Sequence, residues 1–241
     1  MADHLLVACI FVLAGMIQGL SGFGSVLLAM PLLTLFLDVK TAVPLCILAG
    51  LGITGYLCLR LRAHLDLRKI GPMLLGVVPG VAAGAVFLKR ADPRAVELLL
   101  GLMLTAFALY GLRGKPLAVR LGRRWGLLAG FLSGAIGAAV SAGGPPVIVY
   151  VHLTGWGRDE IKATLSGFFL AGGALIAVAH ALGGLTTATV LGYALTALPA
   201  VVAGVAVGLA WAARLADASM RRAVLLLLLA MGLMMVGRIV F

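Results

Sequence analysis

The chain has 241 residues, 63% of them hydrophobic and 11% charged, with 33 glycines and a mean hydropathy of +1.17. Soluble domains carry about 25% charged residues, so this chain lacks the polar surface to wet one, and its hydrophobicity excludes intrinsic disorder. A polytopic helical membrane protein remains, and the net charge of +11 is then assigned to loops facing anionic lipid, with no nucleic acid as partner.

Met1-Ala-Asp-His4 lacks the basic start of a signal peptide, so the first apolar stretch is expected to stay in the mature protein. That stretch, 5–37, is interrupted by Ser21-Gly-Phe-Gly-Ser25. Its arms of roughly 10–15 residues are too short to cross a ~30 Å hydrocarbon core alone. Ordinary spans follow at 42–59, 70–88 and 95–112. A second interrupted stretch, 125–153, breaks at Ser141-Ala-Gly-Gly-Pro-Pro146 and leads into spans at 162–180, 188–211 and 223–240. Cys9, Cys46 and Cys58 lie inside apolar runs without CxxC spacing. They read as small hydrophobes, with no disulfide or metal framework, and no cofactor is expected.

The two interrupted stretches are related. A shift of 115 residues superimposes Leu13-Ala14-Gly15, Gly19, Gly22 and Pro31 on Leu128-Ala129-Gly130, Gly134, Gly137 and Pro146. Pro79 and Gly84 meet Pro199 and Gly204 at a slightly different offset. The chain is therefore expected to be a duplication, 1–114 and 115–241. If each interrupted stretch enters and returns as a hairpin, loops 60–69, 113–124, 154–162 and 212–222 share one side and hold 14 of the 19 basic residues. If each crosses once, the bias vanishes. The positive-inside rule thus favours hairpins. The expected fold is an all-α polytopic membrane protein of two inverted repeats, each a broken re-entrant hairpin plus three transmembrane helices. It is placed in the plasma membrane with both termini outside.

Irregular backbone at membrane depth is tolerated only where protein or a watery cavity satisfies it. A half-helix N-terminus at that depth favours an anion. Gly22, Gly24, Ser25, Ser141, Gly143, Gly144, Pro145 and Pro146 are therefore the candidate substrate-binding residues, and Gln18, His152 and Lys162 candidate entrance-lining residues. Pro145-Pro146 can start a helix but not lie deep within one. The remaining glycines of the stretches, Gly15, Gly19, Gly130, Gly134 and Gly137, are expected to let helices pack closely. No Asp or Glu falls in the middle of a span, where a cation site or a carboxylate proton relay would want one. That argues against a cation pump and leaves an anion or a neutral solute.

A rival reading starts from Gly19-Leu-Ser-Gly22, with Ala179-His-Ala-Leu-Gly-Gly184 similar to the histidine motif of rhomboid intramembrane proteases. Ser21 would be a nucleophile activated by His180. The repeat accounts for Gly19 and Gly22 without catalysis, because Gly134-Ala-Ile-Gly137 repeats them with no serine. A channel-like anion pore is the other alternative.

Gly143-Gly-Pro-Pro146, then Val147-Ile-Val-Tyr150, Lys162-Ala-Thr164 and Phe168-Phe169, resemble the TauE/SafE-type sulfite exporter permease family. The sequence differs from it at Lys162, where an arginine is expected, and in a less glycine-dense first break. The resemblance implies a plasma-membrane permease of two four-segment halves that moves sulfite, sulfonates or related organic anions.

Overall fold

The computed structural model describes residues 2–21, 24–61, 63, 65–114, 120–212 and 217–240, so Gly22 lies outside the described residues. Their regular structure is helical: α1 (Ala2–Ser21), α2 (Ser25–Leu33), α3 (Val39–Leu61), α4 (Leu67–Arg90), α5 (Pro93–Leu112), α6 (Arg124–Val140), α7 (Gly144–His152), α8 (Arg158–Leu182), α9 (Ala188–Ala212) and α10 (Asp217–Val240). Seven of the described helices are long and apolar enough to cross a membrane. Six of them match the ordinary spans expected from the sequence, lengthened at most of their ends.

The seventh, α1, corrects the sequence reading. The first arm of each hairpin is not a short half. At 20 residues α1 reaches ~30 Å, α6 has 17 residues, and only α2 and α7, at nine residues each, are half-length. Hydropathy alone starts the arm at Leu5, whereas the helix takes in Ala2–His4 and runs unbroken through Gly15 and Gly19.

Those glycines continue the helix because another backbone lies against them. A Cβ at Gly15 would come 2.9 Å from Val205 N, and one at Gly19 2.8 Å from Leu209 N. From α9, a Cβ at Gly204 would come 3.0 Å from Val12 Cα and one at Gly208 3.0 Å from Gly19 Cα. The contact advances along both helices together, so α1 and α9 run parallel. The pair α4 and α6 repeats this arrangement. Cβ atoms at Gly76 and Gly80 would lie 2.8 Å from Phe131 N and 3.0 Å from Ala135 N, and one at Gly134 would lie 3.1 Å from Val81 N. Both pairs are small-residue rows that let backbones approach closely.

The other contacts extend this pattern. Gly167 faces Ile70 and Gly172 faces Val77, so α8 runs with α4. Gly173 faces Leu51 while Gly55 faces Leu170, so α3 and α8 are antiparallel. Gly101 and Gly111 face Gly232 and Leu225, so α5 and α10 are antiparallel. The buried side chains accordingly form two cores. One is built by α4, α6, α7 and α8 around Met73, Val77, Val147, Tyr150 and Phe168. The other gathers α1, α2, α3, α9 and α10 around Phe11, Leu28, Leu45, Ala197 and Leu228, with most of the buried face of α5. Neither core follows the division of the chain into 1–114 and 115–241.

The carboxylates explain several helix starts. Asp66 accepts the N–H of Arg68 at 2.9 Å and Asp92 that of Arg94 at 2.8 Å, as N-caps of α4 and α5. Asp38 accepts the N–H of Lys40 at 3.0 Å, and Glu160 reaches back to the N–H of Gly157 at 3.1 Å. Such caps contribute about 1 kcal/mol each.

The glycine rows generate a direct test. Gly80→Ala and Gly204→Ala must push two backbones apart, at a cost of about 1–3 kcal/mol each. Both should lower the unfolding midpoint of the purified protein in detergent. Gly71→Ala has nothing within 4 Å of the new methyl, so it should be neutral or gain up to ~1 kcal/mol of helix propensity.

Candidate functional site

The first break is held by one side chain. Gly24, at φ 101° and ψ 0°, turns the chain in the left-handed region and precedes the first turn of α2. Ser25, buried, donates both its backbone N–H (3.3 Å) and its hydroxyl to Gln18 Oε1 on α1. Gln18 therefore clasps α1 to the start of α2. The break lies level with the middle of α3, since a Cβ at Gly50 would be 3.7 Å from Val26 Cγ2.

The second break is held by two other serines. Ser141 ends α6 at φ 57°, a left-handed conformation that costs a non-glycine residue about 1 kcal/mol or more. Its N–H closes on Gly137 O at 2.9 Å, and its hydroxyl donates to the carbonyl of Val43 on α3 at 2.7 Å. Ser133 donates its hydroxyl to the Gly143 carbonyl. At Gly143 a Cβ would overlap the Ser133 carbonyl oxygen and come 2.9 Å from Gly137 Cα, so this glycine is where α7 folds back onto α6. Gly144 is different. A Cβ there would make ordinary contacts, 3.4 Å to Ile148 Cδ1 and 3.9 Å to Phe169 Cζ.

Pro145 and Pro146 occupy the first turn of α7 as expected. They also remove two of the donors that a helix N-terminus leaves open, so α7 offers the N–H groups of Gly143 and Gly144. In α2, where the Ser25 N–H is spent on Gln18, Gly24, Val26 and Leu27 are the residues whose N–H has no acceptor within the helix. No hydrogen bond among the described residues joins the two breaks. The element touching both is α3, through Gly50 and Val43.

The remaining candidates lie elsewhere. His152 is exposed at the loop end of α7, with Nδ1 2.7 Å from the Ile148 carbonyl, and Lys162 is exposed in the second turn of α8. His180 is fully buried, with Nε2 2.9 Å from the Ala138 carbonyl in the last turn of α6. A carbonyl only accepts, so Nε2 carries the proton and caps that helix end. The Ser21 side chain lies outside the described atoms. Two buried atoms of residues outside the candidate substrate-binding and entrance-lining sets, Thr164 Oγ1 and His180 Nδ1, have no hydrogen-bond partner among the described residues. Thr164 stands in the Ala163-Thr164 pair of the family-like motif, which was the available signal.

Different roles for neighbouring residues follow. Gly143→Ala should destabilise the fold by about 1–3 kcal/mol. Gly144→Ala should leave stability within ~1 kcal/mol. Ser141→Ala removes the hydroxyl bond to the Val43 carbonyl, which keeps its own donor within α3, and should cost about 0.5–1.5 kcal/mol, while Ser141→Gly should cost less because it relieves the left-handed strain. Thermal unfolding of the four purified variants checks the ranking.

The sulfite exporter TauE/SafE family matches residues 7–235 of the chain. A relative from Cupriavidus necator, named as a probable sulfite/organosulfonate exporter TauE, is 28% identical over 174 residues, covering 70% of this chain and 68% of that protein. No solved structure matches. With long apolar helices along the chain and the family match extending over nearly all of it, the chain is a multi-pass membrane protein that belongs to the TauE/SafE family of sulfite exporters.

Proposed function

We propose that the chain is a secondary transporter of small sulfur oxyanions, sulfite or organosulfonates, in the plasma membrane, and that it binds them at the helix breaks. The observation that carries this reading is the family match from residue 7 to residue 235. The name of the Cupriavidus relative supplies the substrate class.

The helix pairings support two inverted repeats, 1–114 and 115–241. The contact of α1 with α9 has its counterpart in that of α6 with α4, while α3 with α8 and α5 with α10 are their own counterparts. In each case the corresponding helices point in opposite directions, and such repeats with broken helices are a transporter architecture. In this reading loops 60–69, 113–124, 154–162 and 212–222 share one face. Lys69–Glu160 at 2.9 Å and the Leu121 N–H on the Leu153 carbonyl at 2.8 Å are contacts across that face. By charge it is the cytoplasmic one, which leaves both termini outside.

In this reading Gly24, Ser25, Ser141, Gly143, Gly144, Pro145 and Pro146 surround the substrate, and open N–H groups at the starts of α2 and α7 bind its oxygens. Charge-assisted hydrogen bonds contribute roughly 1.5–3 kcal/mol each, so a handful offsets much of a small anion's dehydration without a buried arginine. The serine hydroxyls hold the breaks in shape. Access alternates as the α4/α6/α7/α8 bundle rocks against the α1/α2/α3/α9 bundle along the α3–α8 seam.

Flux into proteoliposomes of sulfite, sulfate, sulfoacetate, taurine and a carboxylate tests the reading. Saturable flux of sulfite or a sulfonate is expected, and Gly144→Leu should abolish it while the protein still folds. Unsaturable flux of every anion offered would indicate a pore instead. Replacing each of the eight acidic residues by its amide should leave flux within about tenfold, or ~1.4 kcal/mol of barrier. Gly122→Cys in a cysteine-free background should be reached by an impermeant thiol reagent only from the cytoplasmic side. Labelling from outside intact cells would refute the orientation.

A further inference from the structure

We propose that the face where α4, α6 and α8 begin carries a specific site for an anionic phospholipid, with its phosphate among Arg68, Lys69 and Arg123 and an acyl chain along the groove between α5, α6 and α7. Two adjoining cavities define the site. The first, about 280 Å³, is lined by Arg68 and Lys69 of α4, Arg123 before α6, and Tyr150, Thr154 and Trp156. The second, about 430 Å³, has an almost wholly apolar lining that includes Trp125, Leu128, Leu132, Pro145 and Pro146. Leu121 and Tyr150 line both, so the cavities are contiguous.

The first cavity is built for an oxyanion. Because α4 and α6 run parallel and in backbone contact, their N-termini lie side by side, and each presents the positive end of its dipole there. Arg68 and Lys69 in the first turn of α4, and Arg123 and Arg124 at the start of α6, have the sign that the dipole disfavours. Helix stability does not account for them. Lys69 is held in place, 2.9 Å from Glu160 and 5.1 Å from the Trp156 ring centroid. Arg68 and Arg123 are exposed, and no hydrogen bond or ion pair engages either side chain among the described residues. With Lys69 balanced by Glu160, two guanidinium groups remain for one phosphate, which they can grip bidentately.

The second cavity selects the source of that oxyanion. Its wall is open on the bilayer side, where Trp125, Leu128 and Leu132 are 53%, 47% and 40% exposed. A short soluble sulfonate would leave this groove empty, whereas an acyl chain continuing from a bound phosphate fills it. Trp125 lies beside the cations at the headgroup level that tryptophan favours, and basic pockets between transmembrane helices bind acidic headgroups. The groove ends on Pro145 and Pro146, so the chain of the bound lipid would lie against the first turn of α7.

The test reads Trp125 fluorescence in Trp156→Phe/Trp211→Phe protein, full-length and reconstituted in phosphatidylcholine. Brominated phosphatidylglycerol at low mole fraction should quench Trp125 about tenfold more effectively, per lipid, than brominated phosphatidylcholine. Arg68→Gln/Arg123→Gln should abolish that preference. Arg68→Lys/Arg123→Lys should retain part of it, and Arg94→Gln, at the start of α5 and therefore at the opposite end of the bundle, all of it. Equal quenching by the two lipids, or a preference surviving in Arg68→Gln/Arg123→Gln, would overturn the proposal. So would saturable binding of glycerol 3-phosphate or ethanesulfonate that is lost in Arg68→Gln/Arg123→Gln while the lipids quench equally, because the site would then serve a soluble anion. None of these readouts requires transport, so the proposal stands or fails separately from the substrate assignment.

Discussion

The constraint on which the rest depends is backbone-to-backbone approach along two glycine rows. Inside a bilayer, apolar side chains gain little by leaving lipid for one another, so helices associate through close packing. The rows Gly15–Gly19 with Gly204–Gly208, and Gly76–Gly80–Gly84 with Gly130–Gly134, bring whole helices together with no side chain between them. They fix register and direction at once, and the direction is parallel. Neighbouring helices joined by short loops are antiparallel, so a parallel pair joins helices that are not consecutive in the chain. Here α1 pairs with α9 and α4 with α6, and two bundles that each mix the two halves follow from that requirement.

The same constraint shapes the breaks. A nine-residue helix cannot span a bilayer, and its ends must find partners within the protein. At the first break Gln18 supplies the acceptor for Ser25; at the second, Ser133 bonds to Gly143 and Ser141 to Val43. These bonds consume the hydroxyl groups. In the proposed function an anion would meet backbone N–H at the start of α2 and α7, reinforced by the dipoles of two short helices. Asp38, Asp66, Asp92 and Glu160 are occupied as caps near helix ends, away from the breaks. The proposed lipid would lie against the first turn of α7, at Pro145 and Pro146.

The spans were legible in the sequence because lipid imposes a hydropathy that needs no tertiary context, and the breaks because serine, glycine and proline cluster there. The length of α1 was not. Gly15 and Gly19 read as packing positions, but only the folded molecule shows that α9 lies against them and that the helix starts at Ala2. For the same reason Gly143 and Gly144, neighbours of one residue type, could not be told apart: one meets α6 and the other faces ordinary van der Waals space. Ser141 read as a free donor because its acceptor, the Val43 carbonyl, lies 98 residues away. His180, which read as half of a protease pair, caps α6 through Ala138. The basic cavity is dispersed over α4, the start of α6 and the loop after α7, so charge counting groups these loops together but does not show their convergence.

The central claim is that the start of α7 is a water-accessible anion site and not packed interior. Gly144→Cys, with Cys9, Cys46 and Cys58 replaced by alanine, examines it most directly, since a side chain at Gly144 meets only ordinary contacts. The thiol should react with a small charged maleimide in proteoliposomes, and sulfoacetate should slow the reaction at concentrations that saturate flux. A thiol that reacts from neither side of the membrane, or one that sulfoacetate leaves equally reactive, would contradict the account.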